Sequence, residues 1–176
     1  MFRPEKVTLK DGRTAVIRRA APRDAKAVIA HVNAVGAEGI YIMTEKLRKT
    51  PPEEKEVFRN ADGKSGLYLV ALVGREIVGS ADIERGRHSK NRHTARLGIA
   101  IRKEARGIGL GRAMMEAMIS WARSVGVRKL TLGVFESNTA AVALYRKLGF
   151  TREGRLRGQV ILHREPVDEL LMAPWL

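Results

Sequence analysis

Residues 104–112 read Glu-Ala-Arg-Gly-Ile-Gly-Leu-Gly-Arg, an arginine followed by three alternate glycines, between an apolar strand-like run at 95–101 and a helical run at 113–124. Glycine has no Cβ, so a ligand can approach its backbone closely. The first turn of a helix also leaves N–H groups unpaired at the positive end of its dipole. The stretch is a cradle for an anion. Two common phosphate motifs do not fit it. A P-loop ends Gly-Lys-Ser or Gly-Lys-Thr, and this loop ends Gly111-Arg112-Ala113. A dinucleotide fingerprint needs a glycine three residues after its second one, where Arg112 or Met114 stands.

On either side of the cradle the pattern alternates strand and helix. Runs at 7–9 and 14–17 flank Asp11-Gly12, a hairpin turn signal. Pro22 and Asp24 start a helix whose apolar positions Ala25, Val28, Ile29 and Val32 recur at helical spacing, and Gly36 ends it. Residues 36–50 show no period, and a short helix over 51–58 follows. Residues 67–73 and 76–83 form a second hairpin about Gly74-Arg75, and 84–93 is a polar, basic loop. Beyond the cradle, Met114, Ala117, Met118, Trp121 and Val125 share one helix face that Gly126 closes. A strand over 130–134, a helix from Ser137-Asn138 to Leu148 stopped by Gly149, and strands over 150–156 and 169–172 complete the chain. This order predicts one mixed α/β domain, residues 1–176, around a single sheet.

The chain has 176 residues, no cysteine and a net charge of +14. Disulfides, thiolate metal sites and a cysteine nucleophile are excluded, and an acetyl-enzyme on cysteine with them. No apolar run approaches the roughly 20 residues of a membrane span, and the N-terminus does not read as a signal peptide, so the cytoplasm is expected. Before His93 stand 19 basic and 12 acidic residues, after it 14 and 7, so each half carries +7. Such a surface attracts anions, including nucleotides, RNA or an acidic protein face, but alone it names no partner, because plain solvation is the simpler account of it. Aromatics are only 5% of residues and no basic helix or aromatic platform appears, which makes nucleic acid an unexpected partner.

The match Arg106-x-x-Gly109-x-Gly111, after the strand 97–101 and opening a helix, resembles the acetyl-coenzyme A site of the GNAT superfamily, the Gcn5-related N-acetyltransferases. Asn138-Thr-Ala-Ala-Val-Ala-Leu-Tyr145-Arg-Lys-Leu-Gly149-Phe150 is similar to that superfamily's later N-x-x-A-x-x-L-Y-x-K-x-G-F segment. The likeness runs from 16–18 to the terminal 168–173, loosely over 36–64, and is nearest in feel to the amino-acid and phosphinothricin-like branch. It implies a mostly antiparallel, twisted mixed sheet flanked by helices, and acetyl transfer from acetyl-CoA to a primary amine by direct attack, with no metal. It also implies a homodimer. The acceptor stays open between a small amine, an amino acid and a peptide or ribosomal-protein amine. A basic nucleic-acid-binding protein and an inactive coenzyme A-binding module are the alternatives.

By the same resemblance, backbone groups from Arg106 through Gly107, Ile108, Gly109, Leu110 and Gly111 to Arg112 would hold the pyrophosphate, with charge from Arg106 and Arg112. The strand edge Ile99, Ala100 and Ile101 would pair with the pantetheine and offer an N–H to the oxyanion. Asn138, Ala141 and Lys147 would complete the coenzyme site, Asn138 serving as helix cap, coenzyme contact or both. Tyr145 would protonate the departing sulfur. A lysine-like amine is only about one part in 2,000 neutral at pH 7, so a base is needed. The strand 95–101 has no carboxylate; Glu84 is the nearest candidate, with His88 and His93 as rivals. Glu38, Tyr41 and Glu45 fall where the family builds its acceptor pocket. The basic run Arg85, Arg87, Lys90 and Arg92 either meets the coenzyme's 3′-phosphate or an acidic substrate, or is simply solvated.

Overall fold

Asp11 makes the first chain reversal by accepting the N–H and the Nε–H of Arg13 at 3.1 and 2.7 Å, with Gly12 left-handed beside it. The computed structural model describes residues 2–176. The reversal joins β1 (Glu5–Thr8) to β2 (Thr14–Arg19), and a one-turn helix leads into α1 (Ala25–Gly36). There follow α2 (Pro51–Asn60), β3 (Gly66–Val73), β4 (Glu76–Arg85), β5 (Thr94–Ile101), α3 (Leu110–Ser124), β6 (Lys129–Phe135), α4 (Thr139–Lys147), β7 (Thr151–Leu162) and β8 (Glu165–Ala173). The eight strands form one sheet in the order β1-β2-β3-β4-β5-β6-β8-β7, antiparallel except between β5 and β6. The expected mixed, mostly antiparallel sheet with flanking helices is what the chain adopts.

Strand pleating sorts residues to two faces. Leu67, Leu69, Ala71, Ala81, Ile83 and Leu97 share one core with Leu110, Met114, Met115, Met118 and Trp121 of α3 and with Val142 and Tyr145 of α4. Val70 and Ile77 join Ala25, Val28 and Phe58 of α1 and α2 in a second core. The sheet therefore separates an α3/α4 face from an α1/α2 face. Asp24 pins the chain where α1 begins, accepting Arg18 Nη1 and Nη2 at 2.6 and 2.9 Å and the Ala21 N–H at 2.7 Å. Burial raises its pKa, but these hydrogen bonds outweigh burial and hold it below the usual range, so their contribution is present above about pH 4 and lost in acid. Asp24→Asn should cost about 2 kcal/mol and lower Tm by about 4–8 °C at pH 7. Thermal unfolding that is unchanged at pH 7 would contradict this.

Two expectations need correction. α3 begins at Leu110, not 113, and the closing strands are longer than 150–156 and 169–172, meeting at a turn where His163 and Arg164 have φ of 52° and 68°. The feature that builds the site is a parting of strands. β5 and β6 pair with each other only from Thr94 to Arg96 against Lys129 to Thr131; beyond that each stays paired to its outer neighbour but not to the other. An opening through the middle of the sheet results.

Candidate active site

At the end of β5 the chain enters the glycine loop. Gly107 and Gly109 have φ of +74° and +95°, which favour glycine, and Gly109 is the N-cap of α3. The N–H groups of residues 107–112 find no acceptor among the described residues, while the Leu110 side chain is fully buried and fixes the turn. Free donors in series at the positive end of a 15-residue helix suit a pyrophosphate. A Cβ on Gly111 would stand 3.2 Å from Ile101 and 3.3 Å from Leu144, so the loop is closed down onto β5 and α4. Lys147, as expected, and Lys10, for which the sequence carries no signal, line the same cleft. Lys10 is brought there by its N–H on the Ile108 carbonyl at 3.0 Å.

Arg106 and Arg112 line the cleft too, but neither guanidinium is free as expected. Arg112 Nε lies 2.8 Å from Glu116 on the outer face of α3. Arg106 binds both oxygens of Glu38 at 2.7 and 2.5 Å, donates its Nε–H to the Ile101 carbonyl at 2.8 Å and stacks 4.0 Å from the centre of the Tyr41 ring. The Arg106 hydrogen bonds hold the Glu38 carboxyl below the usual range, so Glu38 is a tether and not an amine ligand. Tyr41 lines the cleft beside Ile42 and Met43, whereas Glu45 is exposed and outside it.

The cleft has a volume of about 1140 Å³ and passes between the parted strands. The Arg102 N–H bonds the Val78 carbonyl at 2.9 Å, and antiparallel ladders alternate, so Ala100 and Gly98 turn their backbone groups toward β4. Leu97, Ile99 and Ile101 turn theirs to the opening. Of the three expected edge residues, Ile99 and Ile101 offer backbone and Ala100 does not; its carbonyl instead receives the buried His31 Nε2 at 3.2 Å. Tyr145 faces this edge from α4, 7% exposed, with its ring 5.8 Å from Phe150. Burial pushes its phenol up to about 12, which keeps it protonated. Asn138 caps α4, its Oδ1 accepting the Ala141 N–H at 3.2 Å, and both line the cleft.

On the α1/α2 face the register places Asp82 beside Gly98 and Glu84 beside Arg96. Glu84, the expected base, is 61% exposed and ion-paired to Arg87 at 2.5 Å. Asp82 lies two residues further into the opening. It meets water through the cleft mouth but is walled by protein elsewhere, and this confinement, helped by the charge of Glu84, lifts its carboxyl to about 6. Periodicity alone could have flagged Asp82, the next residue on the same strand face as Glu84. His88 and His93 do not line the cleft; His93 stacks on Trp175. The basic run closes on itself, Arg85 Nε bonding the Arg92 carbonyl at 2.5 Å, at the opposite end of β5 from the glycine loop. Its suggested role at the coenzyme's 3′-phosphate does not stand.

The profile of the Acetyltransferase (GNAT) family matches residues 38–150. The chain belongs to that family. This GNAT enzyme is 30% identical over 162 residues to the L-amino acid N-acetyltransferase AaaT of Escherichia coli K12, covering 90% of this chain and 96% of that one. Its structure is similar to that of a GNAT-family acetyltransferase from Streptococcus pneumoniae, with a TM-score of 0.86, 30% identity and coverage of 92% and 99%. It also shares its fold with the phosphinothricin acetyltransferase of Sinorhizobium meliloti, solved with acetyl-CoA (TM-score 0.82, 24% identity, coverage 92% and 88%). The GNAT motifs at 106–111 and 138–150 coincide with the anion cradle and the Tyr145 helix.

Proposed function

We propose that this GNAT enzyme acetylates a small primary amine by direct attack in a ternary complex. The donor lies on the α3/α4 face and the amine enters from the α1/α2 face. The observation that carries the reading is the parted pair β5/β6, with Tyr145 on one face of the opening and Asp82 on the other. Acetyl-CoA, when bound, supplies an acetyl thioester with a thiolate leaving group. The unpaired N–H groups at 107–112, with Lys10 and Lys147, would hold its pyrophosphate, and the edge of Ile99 and Ile101 its pantetheine amides.

Asp82 takes the proton that the amine must lose as its nitrogen forms the new C–N bond. An N–H of the Ile99–Ile101 edge stabilises charge on the carbonyl oxygen as the C–S bond breaks. Tyr145 donates to the departing sulfur. With the phenol near 12 and an ordinary thiol near 8.5, complete proton transfer is uphill, so Tyr145 acts chiefly as a hydrogen-bond donor. Tyr145→Phe should lower kcat about 10²-fold and leave acetyl-CoA affinity unchanged; equal kcat would remove the phenol from the chemistry.

Thiol release from acetyl-CoA across a panel of primary amines, with mass detection of the product, tests the reading. Tight acetyl-CoA binding without acetylation of any amine would leave a coenzyme-binding module instead. No described helix is long and apolar enough to cross a membrane, and the proposed setting is the cytoplasm. The proposed assembly is a homodimer, supported by the edge strand β7, which exposes Leu156 and Ile161. A monomer in analytical ultracentrifugation would overturn it.

A further inference from the structure

Two glycines flank the opening at matching positions. Arg96 and Thr131 are the last paired residues of β5 and β6, and two residues on stand Gly98 and Gly133, on the same face as each other. A carboxylate roofs each. A Cβ on Gly98 would lie 3.1 Å from Asp82 Oδ1, and one on Gly133 would lie 2.9 Å from the Glu169 carboxyl carbon. Glu169 comes from β8, where it pairs with Phe135 and leans diagonally across β6. Leu170 and Met172 share one face of β8 and pack in the α3/α4 core, so Glu169, on the alternate face, lies on the α1/α2 side with Asp82.

Glu169 is 8% exposed, and no donor or cation among the described residues reaches its carboxylate, although it lines the cleft. The other buried acids among the described residues each have a cationic partner, Asp24 with Arg18 and Glu54 with Lys49. The Glu169 and Asp82 carboxylates both open on the cleft, and neither has a cation of the protein paired to it among the described residues. A cation placed between them is attracted by both.

We propose, resting on the acetyltransferase reading above, that Glu169 selects the acceptor. With Asp82 it holds the substrate's amino group as an ammonium between the two glycines, so the enzyme takes aliphatic amines that arrive protonated and discriminates against aryl amines that are neutral at pH 7. Glu169 holds the cation while Asp82 takes one proton from it, and Gly133 is the residue that leaves room for the carboxylate. Gln159, also lining this part of the cleft, adds no charge.

The isomers 2-phenylethylamine, an ammonium at pH 7, and 4-ethylaniline, neutral there, separate charge from size. In ligand-observed NMR titrations of the full chain with coenzyme A present, the wild type should bind the ammonium at least about 10-fold more tightly, and Glu169→Gln should reduce the ratio below about 3-fold. Glu169→Asp should restore part of it. In turnover with the best acceptor of the panel, Glu169→Gln should raise the amine KM about 10-fold while kcat and the acetyl-CoA KM stay within about 3-fold. Gly133→Ala, which displaces the carboxylate without removing it, should behave alike and serves if the glutamine variant does not fold. Equal binding of the two isomers by the wild type, or an unaltered ratio in both variants, overturns the proposal. Because binding is read without turnover, charge-selective binding with no acetylation would sink the functional reading and keep the ammonium site.

Discussion

Asp82→Asn should lower kcat/KM about 10²-fold or more and remove the acid limb of its pH profile. Desolvation by the cleft walls first, and the Glu84 charge second, raise this carboxyl to about 6, and a base works only when ionised. Wild-type kcat/KM should therefore fall with unit slope as pH drops below about 6, and the asparagine variant should be flat in that range. A profile with the same limb in both enzymes would move the base elsewhere, with Glu84 the next candidate. Stability should change in the opposite sense. A folded pKa above the unfolded value, near 3.9, contributes stability that is complete below that value and lost as pH rises through about 6. At pH 7 the ionised group is a liability, so Asp82→Asn should be more stable. The gain is on the order of 1 kcal/mol once the open cleft mouth is allowed for, and it should vanish by about pH 4. Lower activity together with higher Tm is the signature of a strained functional group.

Gly109→Val should weaken acetyl-CoA binding about 10²-fold or more. At φ +95° a β-branched residue is strained by about 1–3 kcal/mol, and relief of that strain turns the first N–H groups of α3 away from the cradle. The control is Gly126→Val at the other end of the same helix, where φ is +76° and a Cβ would meet only Arg85 at 4.0 Å. Both variants should lose a similar amount of stability, but the control should keep its acetyl-CoA Kd within about 3-fold. If both lose affinity alike, the loop's N–H groups are not the anion site.

Much of this was legible in the chain because local rules and the fold agreed. Asp11-Gly12, Gly36, Gly126 and Gly149 mark real boundaries, and the two motifs about Arg106 and Tyr145 sit where the anion cradle and the cleft wall are. α3 starts before its apolar spacing suggests because a left-handed Gly109 admits the helix three residues earlier. The full length of β7 is hidden in the sequence because nearly all of the strand is exposed, so its residues, rich in arginine and glycine, show no alternation. The sequence points to Glu84 rather than Asp82 as the base because both lie on one strand face. Depth in the cleft separates them, and depth depends on where β6 departs. Glu169 gave no signal at all, since its meaning depends on Gly133, 36 residues away and on another strand. The sequence alone assigns Arg106 to the phosphate because its partner, Glu38, lies in a stretch without periodicity.

The tether from Arg106 to Glu38 and Tyr41 fastens the anion cradle to the 37–43 segment that walls the amine's side of the cleft. Two ligands that each settle one end of a shared tether are thermodynamically linked: whatever factor the first adds to the second's affinity, the second must return to the first. Donor and acceptor affinities in this enzyme are thus expected to be one coupled quantity. Removing the Glu38 carboxylate should separate them without touching any group that meets either ligand.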